Sequence, residues 1–386
     1  MDALLGTLPV NFAFIANARA LRASFMRVSA CLVWVAVCVA VSVACLVTSQ
    51  GVQAATASDA AAVASQRSSV QPSVHLASNA QSKVQPSIQS AEPVRVGIDL
   101  WPGYYPIVLA KKLGYFQQQG LDVQFVLPEA TDDMLGQFVK GKLDMVCVAM
   151  GDAFSLYKQD PKLRVVMITD ESSGGDALLA KADVTNFAGR TIGTNLNGFG
   201  ELFVDGFLTR HGLTRDQVTL VHQEAADALT FLRDGKADVV HTWEPYVTEI
   251  VSFGIGKPVF DSADTPGLIP DALLVNGQFR HGHPQRVRKF VAAWLQAAQW
   301  WKANREAGDQ LIEPELLLMP GSVNLKGVRL YDAAQNHLTF TRGDDMQSLY
   351  HVTQRYIDFF VKKGVLKAGM QPDDILDPSF LPKLSP

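Results

Sequence analysis

Cysteine is scarce in this chain, and its four cysteines are unevenly placed. Cys31, Cys38 and Cys45 lie in one apolar segment near the N-terminus, and only Cys147 follows that segment. A single remaining thiol has no partner for an internal disulfide, and it is too little for a cysteine-based metal site. The sequence therefore predicts neither feature in the chain beyond that segment.

An excess of basic charge is also lacking. The chain has 34 Lys and Arg against 38 Asp and Glu, a formal charge of −4, and no basic run. Nucleic-acid-binding surfaces need clustered Lys and Arg, so a nucleic-acid partner is disfavoured. The length of 386 residues with 48 % apolar residues excludes general disorder and favours two lobes or domains.

The common catalytic and metal-binding motifs are missing as well. The eight histidines show no HExxH spacing, and the chain contains no Gly-x-Ser-x-Gly elbow and no Walker loop. The sequence therefore indicates no catalytic residue, no metal ligand and no cofactor, and we expect a protein that is not an enzyme.

The N-terminal segment has the pattern of an export signal. An almost unbroken apolar run at 28–48 follows basic residues, and Val52 and Ala54 are spaced as a signal peptidase requires. This pattern predicts a signal peptide over residues 1–54. The run also reaches the roughly 20 residues that span a bilayer, so an uncleaved anchor at 28–48 is the alternative. Met26 offers a second start for the same signal.

Residues 55–92 differ in composition from everything that follows. They are rich in Ala, Ser and Gln, repeat the tetrapeptide Val-Gln-Pro-Ser, and contain few large apolar residues. Such a segment buries too little surface to offset the entropy of ordering. We therefore expect a disordered linker.

From Val94 onward, short β-branched runs alternate with helical patterns, which is typical of sheets whose strands are joined by helices. Two blocks repeat at a shift of 94 residues, DMLGQFVKGKLDMV at 133–146 and DALTFLRDGKADVV at 227–240. Each predicts a helix, a glycine turn and a strand, so the two lobes are expected to share one plan. A second echo, DALLA at 176–180 and DALLV at 271–275, predicts two strands at the crossings between lobes.

Five stretches carry a recognisable pattern: VGIDLWPGYYPIVLAKKLGYFQQQGLDVQFV (96–126), GKLDMVCVAMGDA (141–153), DESSGGDALLA (170–180), FAGRTIGTNLNGFGELF (187–203) and GKADVVHTWEPY (235–246). They resemble the substrate-binding proteins of bacterial ABC importers for nitrate, sulfonates, taurine and thiamine-pyrimidine precursors. The resemblance implies an α/β type II periplasmic-binding-protein fold with two lobes, each a mixed sheet flanked by helices. Lobe 1 would comprise residues 93–178 and 274–386, and lobe 2, inserted into it, residues 179–273.

The resemblance also implies a function. The protein would be the periplasmic, monomeric solute-binding component that delivers a small polar solute to an ABC permease in the inner membrane. Two alternatives remain open, a membrane-tethered sensor of the same ligand and an enzyme similar to the pyrimidine-synthesising relatives of this fold.

Four loops are candidates for the ligand site, because ligands of open α/β sheets bind beyond the carboxyl ends of the strands. Aromatic rings, glycines and amides in these loops suit ring stacking and close backbone approach. Each loop also has a purely structural interpretation. The aromatic rings of the first loop would cover the edge of the core, and the asparagines would form a turn that caps a helix. The acidic segment 170–176 would be a solvated turn, and Glu244 would stabilise the first turn of a helix. The predicted ligand-binding residues are Trp101, Gly103, Tyr104, Tyr105, Gly151, Asp152, Asp170, Asn195, Asn197, Gly198, Phe199, Trp243 and Glu244.

The charge of these loops bears on the charge of the ligand. None contains Lys or Arg, whereas acidic residues lie on or next to them at 99, 152, 170, 171 and 244. An anion would depend on helix termini and amides alone, each terminus contributing on the order of 1 kcal/mol. A zwitterion or an aromatic amine therefore fits at least as well as an anion.

Overall fold

The computed structural model describes residues 92–128 and 130–384. The predicted signal at 1–54, the anchor alternative at 28–48 and the predicted linker, apart from Glu92, lie outside this range. Within the described residues, no helix is both long and apolar enough to cross a membrane.

Strands and helices alternate along the described chain, as the sequence predicts. The strands are β1 (Val94–Gly97), β2 (Val123–Val126), β3 (Met145–Ala149), β4 (Arg164–Ser172), β5 (Asp176–Ala180), β6 (Thr191–Thr194), β7 (Thr219–His222), β8 (Val239–Trp243), β9 (Lys257–Asp261), β10 (Pro270–Val275) and β11 (Val328–Leu330). The helices are α1 (Pro106–Lys112), α2 (Tyr115–Gln118), α3 (Thr131–Val139), α4 (Asp152–Gln159), α5 (Phe199–Arg210), α6 (Ala228–Arg233), α7 (Tyr246–Ser252), α8 (Gly277–Gly282), α9 (Pro284–Ala303), α10 (Arg305–Leu316), α11 (Ala333–Thr339) and α12 (Leu349–Lys362).

The strands form two mixed sheets of the same plan. The first has the order β11-β4-β10-β3-β1-β2 and the second the order β7-β6-β8-β5-β9. Each sheet contains three parallel strands, β2-β1-β3 in the first and β7-β6-β8 in the second. An antiparallel strand pairs with the third of them, β10 with β3 and β5 with β8. The predicted α/β fold with two mixed sheets flanked by helices is therefore confirmed.

The repeated blocks at 133–146 and 227–240 occupy equivalent places. In each sheet the block forms a helix that leads into the third parallel strand, α3 into β3 and α6 into β8. Gly141 and Gly235 end the two helices with φ of 69° and 72°, a left-handed conformation that glycine adopts without a steric penalty. The sequence echo therefore reflects a structural repeat.

The chain passes between the sheets at 173–175 and at 262–269. The two crossings are joined by buried serines, since the hydroxyls of Ser172 and Ser262 are 2.7 Å apart and Ser262 Oγ also accepts from the Gly174 amide at 2.6 Å. The predicted lobe boundaries, 178/179 and 273/274, fall inside β5 and β10. The strands DALLA and DALLV are thus sheet members that follow the crossings, and the assignment of residues to two lobes stays a prediction.

The C-terminal third completes the first sheet and its helical layer. Helix α9 packs on α1 and α2, and buries Trp294 and Trp301 completely. Strand β11 pairs antiparallel with β4 at the edge of the first sheet. This layer anchors the first sheet, so the loops at its strand ends rest on a packed core.

Candidate ligand-binding site

A small cavity lies where strand ends of the two sheets face each other. The cavity volume is about 20 Å³, whereas pockets for small molecules typically measure about 300–1,000 Å³. Ligand binding therefore requires the sheets to move apart or the lining side chains to rearrange. Residues of both sheets line the cavity: Asp99, Trp101, Tyr104, Thr131, Val148, Ala149, Asp152, Asp176, Phe199, Trp243, Ile269 and Asp271.

Trp101 enters the cavity wall from the loop after β1. Its indole Nε1–H donates to Asp170 Oδ1 at 2.7 Å, and Thr169 Oγ1 donates to the other oxygen of that carboxylate at 2.8 Å. Gly103 makes this approach possible, because a Cβ there would lie 1.9 Å from Asp170 Oδ2. Asp170 is completely buried. It thus lies behind the indole and orients it, while Trp101 itself faces the cavity.

The two tyrosines of the same loop point in different directions. Tyr104 lines the cavity, and its hydroxyl donates to the carboxylate of Asp271 at the start of β10. The hydroxyl of Tyr105 donates to the carbonyl of Leu100 at 2.7 Å, and its ring lies 6.4 Å from that of Trp301 in the core. Consecutive residues of a helical turn point about 100° apart, so only one of the pair reaches the cavity.

Asp152 closes the N-terminus of helix α5. Its Oδ1 accepts from the backbone amide of Phe199, the first residue of that helix, at 3.3 Å. Gly198 leaves the space for this contact, because a Cβ there would lie 2.1 Å from the same oxygen. Gly151 packs just as closely, since its Cβ would lie 2.6 Å from the Phe199 Cα. The first sheet thereby places a carboxylate on the helix terminus of the second.

The two asparagines before α5 do not line the cavity. Asn195 is buried. Asn197 is exposed with φ of 68°, which asparagine tolerates better than most residues, and its carbonyl accepts from Ser155 Oγ at 2.6 Å. Its amide donates to Glu201 Oε1 at 2.8 Å. These residues therefore shape the turn, and they join it to helix α4 of the first sheet.

Trp243 supplies the aromatic wall of the second sheet. It ends β8, lines the cavity, and lies 5.8 Å from the ring of Phe199. The next residue, Glu244, points away from the cavity and holds the start of α7, accepting from the Thr248 amide at 3.1 Å and from its hydroxyl at 2.9 Å. The sequence allows Glu244 to be either a ligand-binding residue or an acid that stabilises the first turn of a helix. Its contacts with Thr248 are those of a helix-stabilising acid.

Among the described residues, four aspartates and no Lys, Arg or His line the cavity. Burial raises the pKa of Asp99 and Asp152 to about 7 and the pKa of Asp271 well above its usual range. Burial likewise raises the pKa of Asp170, behind Trp101, to about 7. The nearby acids raise these values further. A carboxylate is costly to bury without a counter-ion, so this cavity favours a positive charge.

One buried pair in this region lacks hydrogen-bond partners. Asp176 Oδ1 and His241 Nε2 are 3.4 Å apart, and neither atom makes a hydrogen bond within the described part of the chain. The other ring nitrogen of His241 contacts Thr194 Oγ1 at 3.1 Å. The Asp176 carboxylate and the His241 ring therefore form a buried polar pair beside the cavity, held by a contact longer than a normal hydrogen bond.

The sequence prediction omitted Asp176 and Asp271, which face the cavity from the two crossings. A signal for them exists in the sequence, because they are the first residues of the echoed segments DALLA and DALLV. The strand that each of them begins, β5 or β10, runs antiparallel to its parallel-strand neighbour, so Asp176 and Asp271 lie at the same edge as the carboxyl ends of the parallel strands. An aspartate repeated at the start of both segments therefore predicts two acidic side chains at the cavity.

Comparisons with known proteins give the same fold. The E. coli periplasmic aliphatic sulphonate binding protein SsuA is 15 % identical with a TM-score of 0.61, covering 77 % of this chain and 96 % of its own. The Synechocystis periplasmic nitrate-binding protein NrtA is 12 % identical with a TM-score of 0.57, covering 75 % and 87 %. These similarities show the periplasmic-binding-protein fold.

The sequence comparisons identify the family. A relative in Saccharomyces cerevisiae, named 4-amino-5-hydroxymethyl-2-methylpyrimidine phosphate synthase THI13, is 25 % identical over 220 residues. The match covers 52 % of this chain and 63 % of that relative, less than two thirds of its length. The sequence model described as NMT1/THI5 like matches residues 101–307, more than half of the chain. The predicted resemblance is thus confirmed, and the chain belongs to the NMT1/THI5-like family.

Proposed function

We propose that this chain is the extracytoplasmic solute-binding component of an ABC importer, and that its solute is a small flat molecule carrying a protonated amine or amidine. The observation that carries the proposal is the cavity between Trp101 and Trp243, where the described lining residues include four aspartates and no basic side chain. Flat rings stack on indoles, and cations are attracted to both indole faces and carboxylates.

The acids supply the charge recognition. Asp176 Oδ1 makes no hydrogen bond within the described residues, although His241 Nε2 lies 3.4 Å from it, and burial raises the pKa of Asp99 to about 7. A protonated nitrogen entering the cavity would neutralise these groups and supply the missing donors. Removing a bound cation leaves the carboxylates buried and unpaired, so the arrangement favours a cation over a neutral analogue.

The position of Asp152 disfavours the anionic solutes that sulfonate- and nitrate-binding proteins of this fold are named for. A helix N-terminus facing a cleft is a ready site for an anion. Here the Phe199 amide of that terminus already bonds the Asp152 carboxylate. An external anion would have to displace Asp152 and approach three further acids.

Transport then follows from lobe closure. The solute enters when the two sheets separate, and its contacts with both sheets favour the closed form, so that binding shifts the population toward closure. Asp152 and Phe199 belong to opposite sides of this movement. The export pattern at 1–54 supports a periplasmic location, either free after cleavage or anchored by 28–48, and a permease in the same membrane would receive the solute.

An enzymatic function is the second candidate, because the yeast relative is named a synthase. The described residues offer few groups that could act as catalytic nucleophiles. Cys147, the cysteine of the described chain, is buried in β3, and burial raises the pKa of its thiol well above the usual range. A thiol held protonated is a poor nucleophile. In residues 92–128 and 130–384, no Lys or Cys lines the cavity.

A solute screen tests the proposal. The purified chain is tested against small amines, aminopyrimidines, amidines and sulfonates, with thermal shift and X-ray scattering as readouts. We expect a rise in melting temperature and a smaller radius of gyration with a cationic ring compound, and recovery of that compound unchanged. A library that produces neither shift nor compaction contradicts the binding function, and conversion of the bound compound supports the enzyme.

A further inference from the structure

A second cluster of polar side chains lies outside the cavity lining. Asp132 is in the first turn of α3, which flanks the first sheet. His222 ends β7 of the second sheet, and Glu224 follows it by two residues. The backbone amide of Thr131 donates a hydrogen bond to the carboxylate of Glu224, so a residue beside the first sheet contacts a residue beside the second sheet at this point. The cluster therefore joins residues that lobe opening would separate.

The spacing of these three side chains matches a tetrahedral metal ion. His222 Nε2 lies 3.6 Å from Asp132 Oδ2 and 3.7 Å from Glu224 Oε1. All three ligand atoms lie within 4.8 Å of one another. Two ligands bound to Zn²⁺ at 2.0–2.2 Å in tetrahedral geometry are about 3.4 Å apart. The two distances from His222 are within a few tenths of an ångström of that separation, and the two carboxylate oxygens would have to approach each other by at most about 1.4 Å to share the ion.

The charge of the cluster also favours a cation. Two carboxylates meet here, and within the described chain neither is ion-paired to Lys or Arg. His222 and Asp132 are 46 % and 58 % exposed at the side chain, whereas Glu224 is only 18 % exposed. An ion can therefore reach the cluster from solvent, and Glu224 has little water of its own to screen the neighbouring acid.

We propose that Asp132, His222 and Glu224 bind Zn²⁺ and that the ion clamps the two lobes together. One imidazole and two carboxylates suit zinc, which accepts nitrogen and oxygen ligands in fourfold coordination. Calcium takes six to eight oxygens and magnesium keeps an octahedral shell of water, so both fit this set poorly. The fourth position remains open to water. The clamp is independent of which solute the cavity binds.

One contact limits the strength of the site. Zinc bound at Nε2 leaves the proton on His222 Nδ1, yet the Leu196 amide lies 3.4 Å from that nitrogen as a second donor. Metal-binding histidines usually donate their other N–H to an acceptor, and loss of that support typically weakens metal binding by 10–100-fold. The clamp is therefore a reversible one, which a transport cycle that reopens the cleft requires.

The test measures zinc binding and lobe closure in the untagged full-length chain after treatment with a chelator. Isothermal titration with ZnCl₂ is run on the wild type, His222→Gln, Asp132→Asn and the control His351→Gln, whose histidine lies on α12 and is not part of the cluster. We expect one Zn²⁺ per wild-type or control chain, and about tenfold or weaker binding in the two cluster variants. Zinc should reduce the radius of gyration of the wild type and not of Asp132→Asn.

Each other outcome overturns the proposal or a defined part of it. No zinc binding by the wild type, or equal binding by His222→Gln, shows that the cluster is not a metal site. Loss of binding in His222→Gln with full binding and compaction in Asp132→Asn shows that the second sheet binds zinc alone and refutes the clamp. Circular dichroism of each variant shows whether it is folded. A variant that fails to fold is replaced by His222→Asn or Asp132→Ser.

Discussion

The Asp152 carboxylate accepts a hydrogen bond from the Phe199 amide at 3.3 Å, and this contact joins the first sheet to the first residue of α5 in the second. A negative side chain at a helix N-terminus is favourable, by about 0.3–1 kcal/mol at exposed sites. The same carboxylate occupies the place where an anionic solute would bind. Under the proposed function, Asp152 should therefore affect both lobe closure and the sign of charge that the cleft accepts.

Replacement of Asp152 should change that preference. Asp152→Ala removes both the charge and the acceptor, whereas Asp152→Asn removes the charge and keeps an acceptor on the Phe199 amide. We expect Asp152→Ala to gain affinity for ethanesulfonate by about two- to fivefold from the helix terminus alone, because the terminus becomes free. Isothermal titration measures it. Stronger ethanesulfonate binding by the wild type than by Asp152→Ala contradicts the role of Asp152.

The stability of the solute-free protein should fall as the pH rises through neutrality. Burial raises the pKa of Asp152 and Asp170 to about 7 from the usual value of 3.8. The folded state therefore holds protons that the unfolded state releases, and the stabilisation present at low pH is lost as the pH rises through 7. Calorimetry should give a lower melting temperature at pH 8 than at pH 5.5.

Asp152→Asn is the control for this pH dependence. It removes one of the buried titrating groups, so its melting temperature should change less between the two pH values than that of the wild type. An equal or steeper change in Asp152→Asn would show that other groups control the pH dependence.

Trp243 should contribute to affinity more than to folding. Trp243→Ala removes a stacking surface, which is worth about 1–2 kcal/mol, or roughly five- to thirtyfold in affinity. Trp294→Ala is the matched control, because Trp294 is completely buried on α9 away from the cavity and its loss costs about 3–5 kcal/mol of folding free energy. Unchanged affinity with a large loss of melting temperature in Trp243→Ala would assign that residue to the core.

Much of the fold was predictable because local patterns determine it. The blocks at 133–146 and 227–240 carry helix spacing, a glycine turn and a β-branched run, and all three elements form. The elements after 303 were not predicted, since their amphipathic segments resemble each other and their places depend on packing against the first sheet. Strand β11, only three residues long, gives no periodic signal.

The candidate site was predictable at the level of loops and less so at the level of side chains. Trp101, Tyr104, Asp152, Phe199 and Trp243 line the cavity as predicted residues. The loop pattern does not determine side-chain direction, which is why the prediction also included Tyr105, Asn197 and Glu244, whose contacts lie elsewhere. Asp176 and Asp271 were not predicted, because the pairing of their strands with the parallel strands is a long-range contact.

The N-terminal prediction requires a separate measurement, since residues 1–91 lie outside the described structure. We expect export with cleavage after Ala54, because small and apolar residues occupy the positions that signal peptidase reads. N-terminal sequencing of the exported protein should start at Ala55. A membrane-bound form that retains Arg27 would instead support the anchor at 28–48, with the segment 55–92 as its spacer.

The central claim is that the cleft selects a flat cation, and three probes of similar shape, one cationic, one neutral and one anionic, test it most directly. The measurement is isothermal titration of the full-length chain with benzamidine, benzamide and benzoate at pH 8 and pH 5.5. We predict that benzamidine binds most tightly and benzoate most weakly. Affinity for benzamidine should fall at pH 5.5, where acids with a pKa of about 7 are protonated. Benzoate binding as tightly as benzamidine at pH 8 would contradict the account.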